Sequence, residues 1–123
     1  MDYRACRWPG NFSPDDVAAY FTKLNRPGPV EQGATLITFS HFLPRIDLLP
    51  QNIPEIRKVL YPVLGSTRLE QQVRALRPKI HVYGHSHVHR QLQIDGITYV
   101  NNAVGYPQET WSGARRLLCI HST

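Results

Sequence analysis

Lys79-Ile80-His81-Val82-Tyr83-Gly84-His85-Ser86-His87-Val88-His89 carries most of what this chain discloses. A short run of apolar and β-prone residues stops at a glycine and delivers three histidines at alternate positions, so it reads as a buried strand running into a tight loop. In an extended or turning stretch residues two apart share a side. His85 and His87 are therefore expected to face one site, with Gly84 letting the backbone turn closely around it. Neutral imidazole is a borderline ligand that suits Zn, Fe and Mn. His81, mid-strand among apolar neighbours, reads differently, as a hydrogen-bonded core histidine.

The same design recurs upstream. Ala34-Thr35-Leu36-Ile37-Thr38-Phe39-Ser40 is a β-rich run bounded by Gly33, also expected to be a buried strand, and His41 stands at its C-terminal end. Ahead of it, Ser13-Pro14-Asp15-Asp16 opens a helix over 14–25, with Val17, Tyr20, Phe21 and Leu24 on one face. Between the two strands lie a proline-rich loop from Phe42 to Pro62, with a short helix expected from Glu55 to Leu60, and a helix over 67–77. Thr67-Arg68-Leu69-Glu70 fits a capping box there, and Pro78 marks the end. Downstream, Asp95-Gly96 between 90–95 and 97–101 is a hairpin signal, and 116–121 is expected to be a closing strand. Strands alternating with helices and then running into antiparallel strands give an α/β class with a mixed sheet and outer helices. In such sheets ligands collect beyond the carboxyl ends of the strands, where His41 and His85 both fall.

The 123 residues fit one small domain or a piece of a larger one. Hydrophobic residues at 41% and charged residues at 19% are those of globular material. No apolar run approaches the roughly 20 residues that span a bilayer, and the first ten residues show no apolar signal core, so a cytoplasmic, non-membrane protein is expected. The net charge of +5 is spread over scattered arginines without interleaved aromatics, which argues against a nucleic-acid partner. Cys6 and Cys119 have no metal-ribbon spacing, and Cys119, within Leu117-Leu118-Cys119-Ile120, is expected to be a buried thiol.

Strand then Ser40-His41, followed by strand then Gly84-His85-Ser86-His87, resembles the last two sequence blocks of the calcineurin-like metallophosphoesterases. In that family five blocks follow in order: DxH, GDxxD, GNH with an acid, a lone histidine after a strand, and GHxH. Phe39-Ser40-His41-Phe42-Leu43-Pro44 looks like the fourth and Tyr83-Gly84-His85-Ser86-His87 like the fifth. Gly96-Ile97-Thr98-Tyr99-Val100-Asn101-Asn102 is similar to the hairpin and Asn-rich strand that trail it, and the resemblance spans His41 to Pro107.

The resemblance implies a calcineurin-like phosphoesterase fold, of which the chain would form the C-terminal part, half of a four-layer αββα sandwich. It also implies two divalent metal ions (Mn, Fe or Zn), a phosphate-ester substrate, and hydrolysis by a metal-activated hydroxide attacking phosphorus in line. His41 and His85 would ligate the second metal and His87 the first.

The DxH, GDxxD and GNH blocks do not occur in the sequence: Asp2, Asp15, Asp16 and Asp47 lie in none of those contexts, and Gly10-Asn11-Phe12 lacks the histidine. The expectation is a fragment with an incomplete dinuclear site, inactive in isolation. The alternatives are a non-catalytic protein-interaction scaffold of the same fold, or a plain structural metal site on His85, His87 and His89. Two residues stay open between roles. Arg45 could fork onto a substrate phosphate or form a loop ion pair, and His89 could lean toward that phosphate or sit at the surface.

Overall fold

Four short strands, β1 (Ile37–Phe39), β2 (Ile80–Val82), β3 (Arg90–Ile94) and β4 (Ile97–Asn101), make one mixed sheet in the order β1-β2-β4-β3. β1, β2 and β4 run parallel, and β3 pairs antiparallel with β4 at one edge. The computed structural model describes residues 7–52, 60–109 and 116–122. Among the described residues three α-helices accompany the sheet: α1 (Pro14–Leu24), α2 (Tyr61–Leu64) and α3 (Thr67–Leu76). The α/β class with a mixed sheet is as expected. The expected helix from Glu55, Cys6 and Trp111 lie outside the described residues.

Local chemistry accounts for most boundaries. Ser13 caps α1 by accepting from the Asp16 amide while Asp16 accepts from the Ser13 amide, with Pro14 in the first turn. The turn between β3 and β4 uses Asp95 at φ 49° and Gly96 at φ 84°, the pair of positive φ values a two-residue hairpin needs. For α3 the expected box is displaced by one residue. Ser66 is the cap and accepts from the Leu69 amide. Glu70 instead accepts from Arg45 at 3.1 Å, Arg74 at 2.6 Å and the Tyr99 hydroxyl at 3.0 Å, where three donors outweigh a single amide.

Register places Thr38, His81, Tyr99 and Leu92 side by side on one sheet face. That face carries the core cluster. Tyr83, Ile97 and Tyr99 pack there with Leu43, Leu48 and Leu49 of the loop after β1 and with Val73 of α3. α1 rests on α3 through polar contacts: Arg68 to Asp15, Asn25 to Gln72, and Gln72 to the Thr22 carbonyl. Its apolar side, Tyr20, Phe21 and Leu24, stays exposed.

Three expectations need correction. β1 is three residues long and lies at an edge, with Phe39 on the far face 86% exposed, so it is not a buried strand. Residues 116–122 form no strand, because none of the sheet's edges pairs with them. Cys119 is exposed rather than buried, its thiol turned to the His121 carbonyl.

Candidate functional site

Because β1 and β2 are parallel neighbours, the residues that follow them emerge at one edge. The ladder continues past both strands: the Ser40 amide donates to the Val82 carbonyl at 2.9 Å and the Gly84 amide to the His41 carbonyl at 3.1 Å. Two histidines 44 positions apart therefore meet, with His41 Nε2 at 3.0 Å from His85 Nδ1 and ring centroids 4.8 Å apart. Phe42 sets its ring edge-on against both. His85 Nε2–H donates to the Val63 carbonyl at the end of α2, which leaves Nδ1 as the nitrogen with the lone pair.

The glycine does not make the turn. Gly84 has no positive φ; His85 and His87 do, at 63° and 53°. The Ser86 amide closes back on the Gly84 carbonyl at 2.7 Å, a three-residue turn with His85 at its centre. Left-handed backbone at a non-glycine residue costs about 1–2 kcal/mol, and two such residues in three positions mark a loop held by its surroundings. Nor is Gly84 required for space: a Cβ there would meet His41 at ordinary contact distance, 3.4 Å from its carbonyl oxygen and 3.8 Å from Nδ1. The clamp is Asn101, only 2% exposed at the end of β4. Its amide donates to the Gly84 carbonyl and to Ser86 Oγ, and its oxygen accepts from the Ala103 amide.

His87 turns away from that pair. Its Nδ1 meets Glu109 Oε2 at 2.8 Å, and the same oxygen accepts from the Tyr106 amide. His89 Nε2–H donates to the Ala103 carbonyl at 2.7 Å. His85, His87 and His89 thus each have one nitrogen engaged by a protein oxygen, and the other nitrogen, His85 Nδ1, His87 Nε2 or His89 Nδ1, is the one that carries the lone pair in the neutral ring. An oxygen acceptor on the far ring nitrogen is the usual support of a metal-bound imidazole. Two nitrogens bound at about 2.0–2.1 Å to one cation lie about 3.0–3.4 Å apart, and the His41–His85 separation falls at the short end of that range. The two therefore fit part of a coordination shell. Among the described residues, however, no three His, Cys, Asp or Glu side chains converge into a group that could hold a metal ion. Arg45 is engaged elsewhere, forked onto Asp47 at 2.9 and 2.6 Å and bonded to Glu70.

Beneath the site lies a chain of hydrogen bonds that the sequence reading reached only in part. His81, 1% exposed, has Thr38 Oγ1 at 2.8 Å from Nδ1 and Ser40 Oγ at 3.0 Å from Nε2. Ser40 Oγ–H donates to the Phe42 carbonyl at 2.7 Å. Burial pushes His81 down to about 4, so the ring is neutral. Asn101, Glu109 and Val63 were missed as partners of the histidines; the Asn pair after β4 was the one signal in the sequence, while Val63 acts through its backbone and has none. Comparison with family models, with curated proteins and with solved structures gives no match.

Proposed function

We propose that the chain supplies the histidine half of a metal-dependent phosphoesterase of calcineurin-like type, its sheet being one part of the layered sandwich of that fold. The observation that supports this most is the meeting of His41 and His85 at the carboxyl edge of adjacent parallel strands, each on a turn held in place from outside. His41 and His85 would contribute nitrogens to one divalent cation. His87, its ring oriented by Glu109, would contribute Nε2 to another. Bound cations would stabilise charge on a phosphoryl group and lower the pKa of a water. The residues of this chain would orient the imidazoles, the Val63 carbonyl, Glu109 and the Ala103 carbonyl each engaging one ring nitrogen of His85, His87 and His89 in turn. The carboxylates such a site requires are not offered by the described residues, so the 123-residue chain alone is expected to turn over an aryl phosphodiester negligibly in the presence of manganese.

Calorimetric titration with zinc or manganese tests the reading. The wild-type chain is expected to bind weakly, more weakly in acid because protons compete for the nitrogens. His85→Ala should lower the affinity at least about tenfold. Equal affinity in both proteins removes His85 from the site. One observation favours a second reading, a non-catalytic scaffold of the same fold: Arg45, the candidate phosphate ligand, is already satisfied by Asp47 and Glu70. No metal binding by any form of the chain would select that reading.

A further inference from the structure

The chain of hydrogen bonds under β1 and β2 runs in one direction. Ser40 has a single hydroxyl proton, and the Phe42 carbonyl takes it at 2.7 Å. Ser40 Oγ can then only accept from His81, so the neutral ring carries its proton on Nε2 and its Nδ1 accepts from the Thr38 hydroxyl. The order is Thr38 to His81 to Ser40 to the Phe42 carbonyl: it starts in the middle of β1, crosses to β2 and returns to the turn that bears His41. We propose that His81 is a positioning residue whose Nε2–H, acting through Ser40, fixes the Ser40-His41-Phe42 turn and so holds the His41 imidazole against His85.

This inference rests on the metal-site reading for its purpose, though not for its geometry. Apart from the His41–His85 contact itself, no other side-chain hydrogen bond among the described residues ties residues 40–42 to the sheet; the backbone bonds at Ser40 and at the His41 carbonyl fix the turn's two ends but not the plane of the Phe42 peptide. An apolar side chain at 81 would fill the space and leave the serine free to turn. His81 itself never touches a ligand: Tyr99 and the two hydroxyls enclose it.

The test compares wild type with His81→Phe, which keeps a ring and removes both nitrogens, His81→Gln, whose amide can restore the donor to Ser40, and Ser40→Ala, which cuts the chain one link later. Two readouts are taken on the chain. The first is the His41–His85 ring contact in the metal-free protein, seen by NMR of labelled imidazoles. The second is cobalt(II) affinity, with the visible absorption of the bound ion. In His81→Phe and Ser40→Ala the ring contact should be lost and cobalt affinity should fall about tenfold, with recovery toward wild type in His81→Gln. If His81→Phe does not fold, Ser40→Ala carries the same expectation alone. An unchanged ring contact in a folded variant overturns the proposal. Loss of the contact in a protein whose wild type binds no cobalt leaves the positioning role standing and removes the metal reading instead.

Discussion

A histidine at φ 63° is an unusual choice for the centre of a tight turn, where glycine would sit without strain. Such a conformation persists only where the surroundings hold it, here through the Ser86–Gly84 bond and the Asn101 amide. Substitution separates the two contributions. His85→Ala and His85→Gly both lose the imidazole and its bond to Val63, but only alanine keeps the Cβ penalty. The glycine variant is therefore expected to be the more stable by about 1 kcal/mol in thermal or urea unfolding. Equal stabilities would mean that the turn relaxes in solution. The meeting of His41 and His85 was legible in the sequence because each follows a strand, whereas His87, expected to share a side with His85, turns to Glu109 instead. Their orientation was not, because Val63 and Ala103 act through carbonyls, which every residue carries, and Glu109 lies 22 positions from the histidine it holds.

Elements with local codes were equally legible: α1 from Ser13-Pro14, and β3–β4 from Asp95-Gly96. β1 was over-read because an apolar, β-branched run looks the same whether one face or both are covered, and only the sheet order puts it at an edge. The strand expected at 116–121 failed for a related reason, since strand propensity needs a neighbour to pair with. The join between the loop after β1 and α2 was not visible at all. There Leu43 and Gly65 bridge in parallel, the Leu43 amide donates to the Leu64 carbonyl at 2.9 Å, and a Cβ on Gly65 would lie 1.8 Å from the Leu43 oxygen. Gly65→Ala is thus expected to force the two segments apart and cost about 3 kcal/mol or more, measured by chemical denaturation. It should also disturb the His85–Val63 bond two residues away, a link a urea melt alone would not register but imidazole NMR would.

One buried ring gives the stability of the protein as a unit a pH dependence with a defined sign. His81 titrates at about 4 when folded and near 6.5 when unfolded, so between those values the unfolded chain binds more protons. The contribution of neutral His81 is complete above pH 6.5 and is lost as pH falls toward 4, by up to about 3 kcal/mol. Urea unfolding across that window should show the slope in wild type and a shallower one in His81→Gln; parallel curves would place the titration elsewhere. The sheet order also fixes the sequence in which the parts come together. β3 and β4 are joined by two residues and can zip at once, whereas β1 must find β2 across residues 40–79. Closing that span costs on the order of 2–3 kcal/mol more loop entropy than closing the hairpin, and parallel pairing offers no intermediate rungs along the way. The two imidazoles at the edge are consequently expected to meet late, after the hairpin exists, so that their contact would time the end of folding rather than its nucleus.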